Sequence, residues 1–370
     1  MKVAFCNRKN WNPPLGGDGI QMLKTKDALE QLYNIQIDII TNPEDINSSY
    51  DIVHIFNYAS IDESYNFFKE AKKYNLKIAS SSIFWDYKYA VTPIWHRLGF
   101  IGSKITKFQL KLNYIINNLL AFLFNKPILL SNKFRNSVEK FIELSDVVLP
   151  NSTEEANLLL DFVYKKQKPE NIYDKIRIVH NAVDIKDYKI APEEEFFEKY
   201  KIPRNYVLQV SRVQYIKNQL NLLKSLEFDK DVPIVFVGKI IEPHYYKALK
   251  RIAKRRGNVY FIQEIPHSDV YSFYYYAKVH VLLSFRESPG LVSLEALSQC
   301  CPVVVADNRF VPYNTYFSNC GCSVDPLNLN DIRHSVLNAD KKLSLNFNKE
   351  IFTWEYAAMQ TYNAYVEISK

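Results

Sequence analysis

Short runs of consecutive apolar residues alternate along the chain with longer stretches in which apolar residues recur at helical spacing. Lys2–Phe5, Ile35–Thr41, Asp51–Phe56 and Lys77–Ser80 read as buried strands, and Val147–Thr153 returns to the strand pattern. A helix with Met22, Leu23, Ala28 and Leu29 as its apolar positions follows the first run, and another is expected around Glu63–Tyr74. Ser152 or Thr153 caps a further helix, with Glu154 and Glu155 in the first turn where the helix dipole favours acids. Ile176–Asp184 closes this half, and the charged, Pro-bearing stretch Asp187–Arg204 reads as a linker. A second alternating set runs through Tyr206–Val210, Pro233–Gly238, Val259–Ile262, Val279–Leu283 and Pro302–Ala306, with Leu291, Leu294, Ala296 and Leu297 marking a helix between the last two. Repeated alternation of this kind implies an α/β fold. The expected architecture is two α/β domains facing one another across a cleft, each a doubly wound parallel sheet.

One stretch breaks the rhythm. Between Ile94 and Phe141, Ile101, Ile105, Phe108, Leu112, Ile115, Ile116, Leu119 and Leu120 recur at helical spacing, with Lys104, Lys107 and Lys111 interleaved. From Tyr87 to Val138 there is no acid, and eight Lys and Arg residues exceed the net charge of +7 for the whole chain. Two readings stay open: a helical insertion packed on its own domain, or a basic amphipathic helix lying on an anionic membrane surface. The absence of acids favours the membrane surface as a partner.

Composition narrows the class. The 370 residues suffice for two domains with separate cores, and 47% apolar residues with only nine Gly exclude a disordered chain. No apolar run is long enough for an ordinary membrane span, and the N-terminus lacks the pattern of a signal peptide. Cys6, Cys300, Cys301, Cys320 and Cys322 form neither a CxxC pair nor an even disulfide framework; buried thiols in a reducing cytoplasm are expected.

Candidate chemistry gathers where strands end. In an open α/β sheet ligands bind beyond the carboxyl ends of the strands, where helix starts direct N–H groups at anions. The loop Arg286–Gly290 precedes a helix there, with Glu287 before it and Glu295 two turns inside; carboxylates suit sugar hydroxyls, which donate to them. Arg212 and Lys217 follow the strand ending at Val210, on the same predicted edge, and would hold a diphosphate and stabilise it as a leaving group without a metal. Strand, glycine-bearing loop and helix recur at Gly16–Gly17, but without the G-x-G-x-x-G spacing of a dinucleotide fingerprint. His54, inside an apolar strand, reads as a satisfied core histidine. Asp229-Lys230-Asp231 has a D-x-D spacing but lacks strand support and reads as a solvated turn, so no metal site is expected.

These motifs resemble those of retaining glycosyltransferases with the GT-B fold, family 4. Glu287-Ser-Pro-Gly-Leu-Val-Ser-Leu-Glu295 looks like their E-x7-E element, and Ser211-Arg212 with Lys217-Asn218 like their Arg and Lys pair. Val179–Asp184, Leu149–Ser152, Asp51–His54 and the segment containing Trp354 are also similar, so the likeness spans nearly the whole chain outside about 94–135. It implies two facing Rossmann-like domains: an N-terminal, acceptor-side domain over 1–185 containing the basic insertion at about 94–141, a donor domain over 186–352, and a C-terminal helix over 353–370 crossing back, with Trp354, Tyr356, Met359 and Tyr362 packed there.

By resemblance, Glu295 holds the ribose hydroxyls, Glu287 lies by the donor sugar, backbone amides near Gly290, Leu291 and Val292 approach the diphosphate, and Arg212 and Lys217 neutralise it. The Gly16–Gly17 loop faces the donor from the other domain, and the base lies near Gly238-Lys239 and the loop through Ile265. Phe56-Asn57 and Ser81-Ser82 stand where members of the family often carry His, so no enzymic base is assigned. The implied activity is transfer of a hexose-type unit from a nucleoside-diphosphate sugar to an acceptor hydroxyl with retention, independent of metal or other cofactor. The acceptor would be a saccharide or lipid-linked saccharide of an envelope polysaccharide, met in the cytoplasm or on the inner face of the cell membrane. A catalytically silent partner subunit and a nucleotide-sugar epimerase of similar fold are the alternatives.

Overall fold

The computed structural model describes residues 1–9, 11, 17–59, 61–89, 107–126, 128–165, 168–185, 190–263 and 265–370. Two compact units emerge: Met1–Asp86, Tyr114–Val183 and Glu350–Lys370 form the first, Tyr87–Asn113 and Asp184–Lys349 the second. In chain order the elements are β1 (Lys2–Cys6), α1 (Gly17–Tyr33), β2 (Gln36–Ile40), β3 (Ile52–Phe56), α2 (Ile61–Lys73), β4 (Lys77–Ser81), α3 (Lys107–Leu123), α4 (Asn132–Leu144), β5 (Val147–Val148) and α5 (Thr153–Tyr164). Then follow α6 (Glu193–Tyr200), β6 (Val207–Val210), α7 (Gln219–Ser225), β7 (Ile234–Val237), α8 (Pro243–Arg256), β8 (Val259–Ile262), α9 (His267–Tyr276) and β9 (Val279–Leu282). The chain ends with α10 (Leu291–Ser298), β10 (Val303–Ala306), α11 (Tyr313–Tyr316), β11 (Cys322–Val324), α12 (Leu329–Leu337), α13 (Lys341–Ser344) and α14 (Trp354–Ser369).

In the first unit the strands lie in the order β2-β1-β3-β4-β5, and the paired strands run parallel. Strands covered by helices on both faces must be apolar on both, which is why β1 and β3 read as continuous runs and are buried almost end to end. The helix α14 closes this unit. Trp354, Ala357, Ala358 and Tyr365 join Met22 and Leu29 in its core, and Tyr362 stacks on Tyr33 at 4.1 Å between centroids. Met359, expected to pack with them, is instead exposed, because it points away from the face that carries Tyr365.

His54 is the core histidine the sequence suggested. It is buried in β3, with Nδ1 2.5 Å from the Tyr365 hydroxyl and Nε2 2.9 Å from the Ser81 hydroxyl. Burial lowers its pKa to about 3, so it is neutral.

The second unit has the strand order β8-β7-β6-β9-β10-β11, again parallel throughout. This is the Rossmann order, in which the chain reverses direction of winding between β6 and β9. The stretch read as a linker contains α6, with Glu193, Glu194 and Glu195 in its first turn and Phe196 and Phe197 buried. Acids that look like a solvated spacer thus serve a helix N-terminus. Asp229 lies in a turn and pairs with Arg333 at 2.5 Å. Among the described residues no three His, Cys, Asp or Glu side chains group as metal ligands, and no helix is long and apolar enough to cross a membrane.

Candidate functional site

The reversal point of the second sheet is where the sequence placed its candidate residues. Arg212 and Lys217 lie on the loop leaving β6, and Glu287 lies on the loop leaving β9, its neighbour in the sheet. The loops are joined by the Phe285 N–H, which donates to the Ile216 carbonyl at 2.8 Å. Lys217 Nζ bonds the Glu287 carboxylate, with the two side chains only 19% and 10% exposed. Opposite charges so little exposed hold each other in place.

Buried amides set the loop that carries the two cations. Gln219 Nε2 donates to the Arg212 carbonyl at 2.9 Å and to the Ser211 hydroxyl at 3.1 Å. Gln209 Nε2 donates to the Lys217 carbonyl at 2.8 Å. Asn218 adopts a left-handed conformation, with its Nδ2 on the Pro326 carbonyl at 3.1 Å, and so lets the chain turn into α7.

The β9 loop ends at Gly290, whose φ of 95° lies in the left-handed region. A Cβ there would stand 2.9 Å from Leu282 and 3.4 Å from Glu287, so glycine both permits the turn and keeps Glu287 close. The Glu287 N–H donates to the Phe310 carbonyl at 2.9 Å. Leu291 and Val292 open α10 half-buried. Ser284 and Ser293 have buried hydroxyls without a hydrogen-bond partner among the described residues.

Glu295 is the fifth residue of α10, just over one turn inside it rather than the two the sequence suggested. Its carboxylate accepts from the Tyr274 hydroxyl at 3.0 Å and lies 3.6 Å from His267 Nε2. Burial first, then the Glu295 charge, raises the Tyr274 pKa well above its ordinary value, so the phenol remains a donor. Gly238 follows β7 and Ile265 follows β8, each beyond the carboxyl end of its strand. Gly17 opens α1 of the first unit, with no neighbour among the described residues within 4 Å of where a Cβ would stand; Gly16 lies outside the described residues.

Sequence reasoning missed Tyr274, His267, Gln209, Gln219 and the Phe310 carbonyl. The α9 run through Tyr271, Phe273 and Tyr274 reads as core, and nothing in spacing marks one of its hydroxyls as a carboxylate partner. Asn57 donates to Asp18 at 3.0 Å and Ser81 bonds His54.

The second unit is thus a Rossmann-type sheet with a charged pair and a glycine-opened helix at its reversal point. Residues 192–332 match the family model described as glycosyl transferases group 1. No curated protein matches the sequence. Solved structures match over the whole chain. HepE of Anabaena in complex with UDP and glucose has 14% identity and a TM-score of 0.67, over 99% of this chain and 100% of that one. Sucrose-phosphate synthase of Thermosynechococcus elongatus has 15% identity and a TM-score of 0.66, over 100% and 99%. An α,α-trehalose 6-phosphate synthase of Burkholderia multivorans has 10% identity and a TM-score of 0.68, over 100% and 99%. Two parallel-sheet α/β domains in this arrangement of elements are the GT-B fold.

Proposed function

We propose that the chain is a glycosyltransferase of family 4 type, moving a sugar from a nucleoside-diphosphate sugar to an acceptor hydroxyl with retention at the anomeric carbon. The observation that carries this reading is the Lys217–Glu287 pair beside the Gly290 helix start, at the reversal point of the second unit's sheet. The match of residues 192–332 to the group 1 family model supports it, as does the complex of the structural relative HepE with UDP and glucose.

In this reading Arg212 and Lys217 neutralise the diphosphate as it leaves, and the N–H groups from Gly290 to Val292 face its oxygens. Glu295, held by Tyr274, accepts from the ribose hydroxyls. Glu287 lies beside the donor sugar, Gly238 and Ile265 border the base, and Gly17 belongs to the first, acceptor-side unit. The acceptor oxygen forms its bond to the anomeric carbon as the bond to the diphosphate oxygen breaks. The acceptor proton passes to that leaving oxygen, on the same face of the sugar, which requires no His and no metal. The acceptor is a saccharide or lipid-linked saccharide.

Thermal unfolding with UDP, GDP, ADP, CMP and dTDP, on the wild-type chain and on Glu295→Ala, tests the reading. A ligand that binds only the folded state raises the melting temperature by mass action. One diphosphate should stabilise the wild type and do so less in the variant. No shift with any nucleotide would refute a donor site.

A further inference from the structure

The helix α3 is turned the wrong way for a helix of a water-soluble surface. Its inward stripe is Asn113, the half-buried Asn117 and Ala121, spaced by four: Asn113 is 6% exposed, Ala121 is 2% exposed, and the side-chain nitrogens of both asparagines are buried without a partner among the described residues. Its outward face is apolar. Phe108 is 68% exposed, Ile115 53%, Leu119 55% and Phe122 78%, and Phe124 just beyond the helix is 64% exposed. Positions 108, 115, 119 and 122 recur at intervals of seven, four and three, which keeps them on one side of a helix. Single exposed apolar residues are ordinary; a continuous face of them on one helix marks a surface that meets something apolar.

Cations border that face. Lys111 and Lys126 are exposed at or beside α3. Lys133 bonds Asn125 at the end of the helix, and the start of α4 is tied to α3 by the Asn132 N–H donating to Asn118 at 3.0 Å. Further along α4, Lys133 and Lys140 line a surface depression of about 610 Å³ with Tyr65 and Ser137. No Asp or Glu occurs between Tyr87 and Val138. An apolar strip bordered by positive charge without acids complements an anionic bilayer: the apolar residues enter the acyl boundary while lysines reach the headgroup phosphates.

We propose that α3 is a membrane-docking element that seats the chain on an anionic lipid surface through Ile115, Leu119, Phe122 and Phe124, with Lys111, Lys126 and Lys133 at headgroup level. The surface does not depend on the transfer activity, since none of these residues belongs to the proposed donor site.

Co-sedimentation of the full chain with vesicles tests it. Vesicles of phosphatidylcholine alone are compared with vesicles that also contain phosphatidylglycerol. The chain should pellet with the anionic vesicles; Leu119→Ser with Phe122→Ser should lower the partition coefficient about tenfold or more, and Lys126→Glu with Lys133→Glu should lower it comparably. Phe228→Ser, at a 91% exposed phenylalanine of the second unit, should leave it unchanged. All the substituted side chains are exposed, so melting temperatures and nucleotide-induced shifts should match the wild type. A chain that ignores anionic vesicles, or that loses binding equally in Phe228→Ser, overturns the proposal. So does a concentration-dependent dimer in sedimentation velocity without lipid that Leu119→Ser with Phe122→Ser abolishes, because a second copy would then cover the face.

Discussion

Replacing Gly238 by Ala tests how the cationic loop is held. Gly238 leaves β7 with φ of 140°, and a Cβ built on it lies 2.3 Å from the Ser211 carbonyl oxygen and 2.8 Å from the carbonyl carbon. Ordinary contact begins at 3.4 Å, so one backbone must retreat by about 1 Å. Neither is free to move: the Ser211 N–H donates to Val237 at 2.9 Å, and the Gly238 N–H donates to Ile262 at 2.9 Å. A non-glycine residue in this region of backbone space costs about 1–3 kcal/mol. Forcing an atom into a packed contact costs about 1–3 kcal/mol more.

Gly257 separates the two terms. Its φ of 76° is also in glycine territory, but no atom lies within 4 Å of its would-be Cβ. Gly257→Ala therefore carries the backbone term alone. Urea unfolding of the two variants should show Gly238→Ala less stable by about 1–3 kcal/mol, a midpoint difference near 1 M at ordinary slopes. The clash also pushes the Ser211-Arg212 loop, and a misplacement of about 1 Å in a positioned group costs about 100-fold in rate. Nucleotide-induced stabilisation and transfer should fall in Gly238→Ala and persist in Gly257→Ala. Equal midpoints for the two variants would refute the argument that this glycine exists to let two loops touch.

Three further outcomes are expected. Lys217→Ala and Glu287→Gln should each destabilise by about 1–3 kcal/mol in urea unfolding, and the double variant by less than their sum, since each single change strands a half-buried partner; strict additivity would show the pair to be uncoupled. Burial lowers the pKa of His280, as of His54, to about 3, so between about 3 and 6.5 the unfolded chain binds protons that the folded chain refuses. Stability from each is thus complete above about 6.5 and falls by about 1.4 kcal/mol per pH unit below it, a slope that His280→Asn should reduce by that amount in urea titrations at successive pH values. Arg256, 3% exposed, donates to the carbonyls of Leu226, Asp229 and Val232 at 2.9, 2.7 and 2.7 Å, so Arg256→Lys should lose about 2–4 kcal/mol by stranding them, and an unchanged midpoint would refute the role of the fork.

The parallel strands were legible because burial on both faces writes them as unbroken apolar runs. From that reading, the loops at their carboxyl ends followed directly, which is why Arg212, Lys217, Glu287 and Gly290 could be placed on one edge of a sheet. Strand order was not legible. That β6 neighbours β9 depends on where crossovers land, and the Lys217–Glu287 contact joins residues 70 apart in sequence. The supports of the site were equally silent, since Gln219 acts through its side chain on a main-chain carbonyl and Tyr274 sits in a run that reads as core. The segment before β6 was misread because Glu193–Glu195 looks the same in a spacer and in the first turn of a helix.

The contrast between α3 and α4 shows why periodicity alone could not choose between the two readings of the basic segment. Both helices carry apolar residues at helical spacing with lysines between them. In α4 the apolar face is buried through Phe134, Val138, Phe141 and Ile142, so the part of the segment nearest Phe141 is core. In α3 the corresponding face is exposed, and the small and polar side is buried. A sequence defines which residues share a face; only the neighbours decide whether that face looks inward. What distinguishes α3 beforehand is the stripe opposite its apolar face: Asn113, Asn117 and Ala121 are short enough to let another backbone approach, whereas α4 has Arg135, Glu139 and Glu143 on its outer side. The polar side of α3 is made largely of asparagine and alanine, and no acid occurs in the sequence from Tyr87 to Val138. The orientation of the helix then follows from which side the protein can pack closely, and the large apolar side is left exposed.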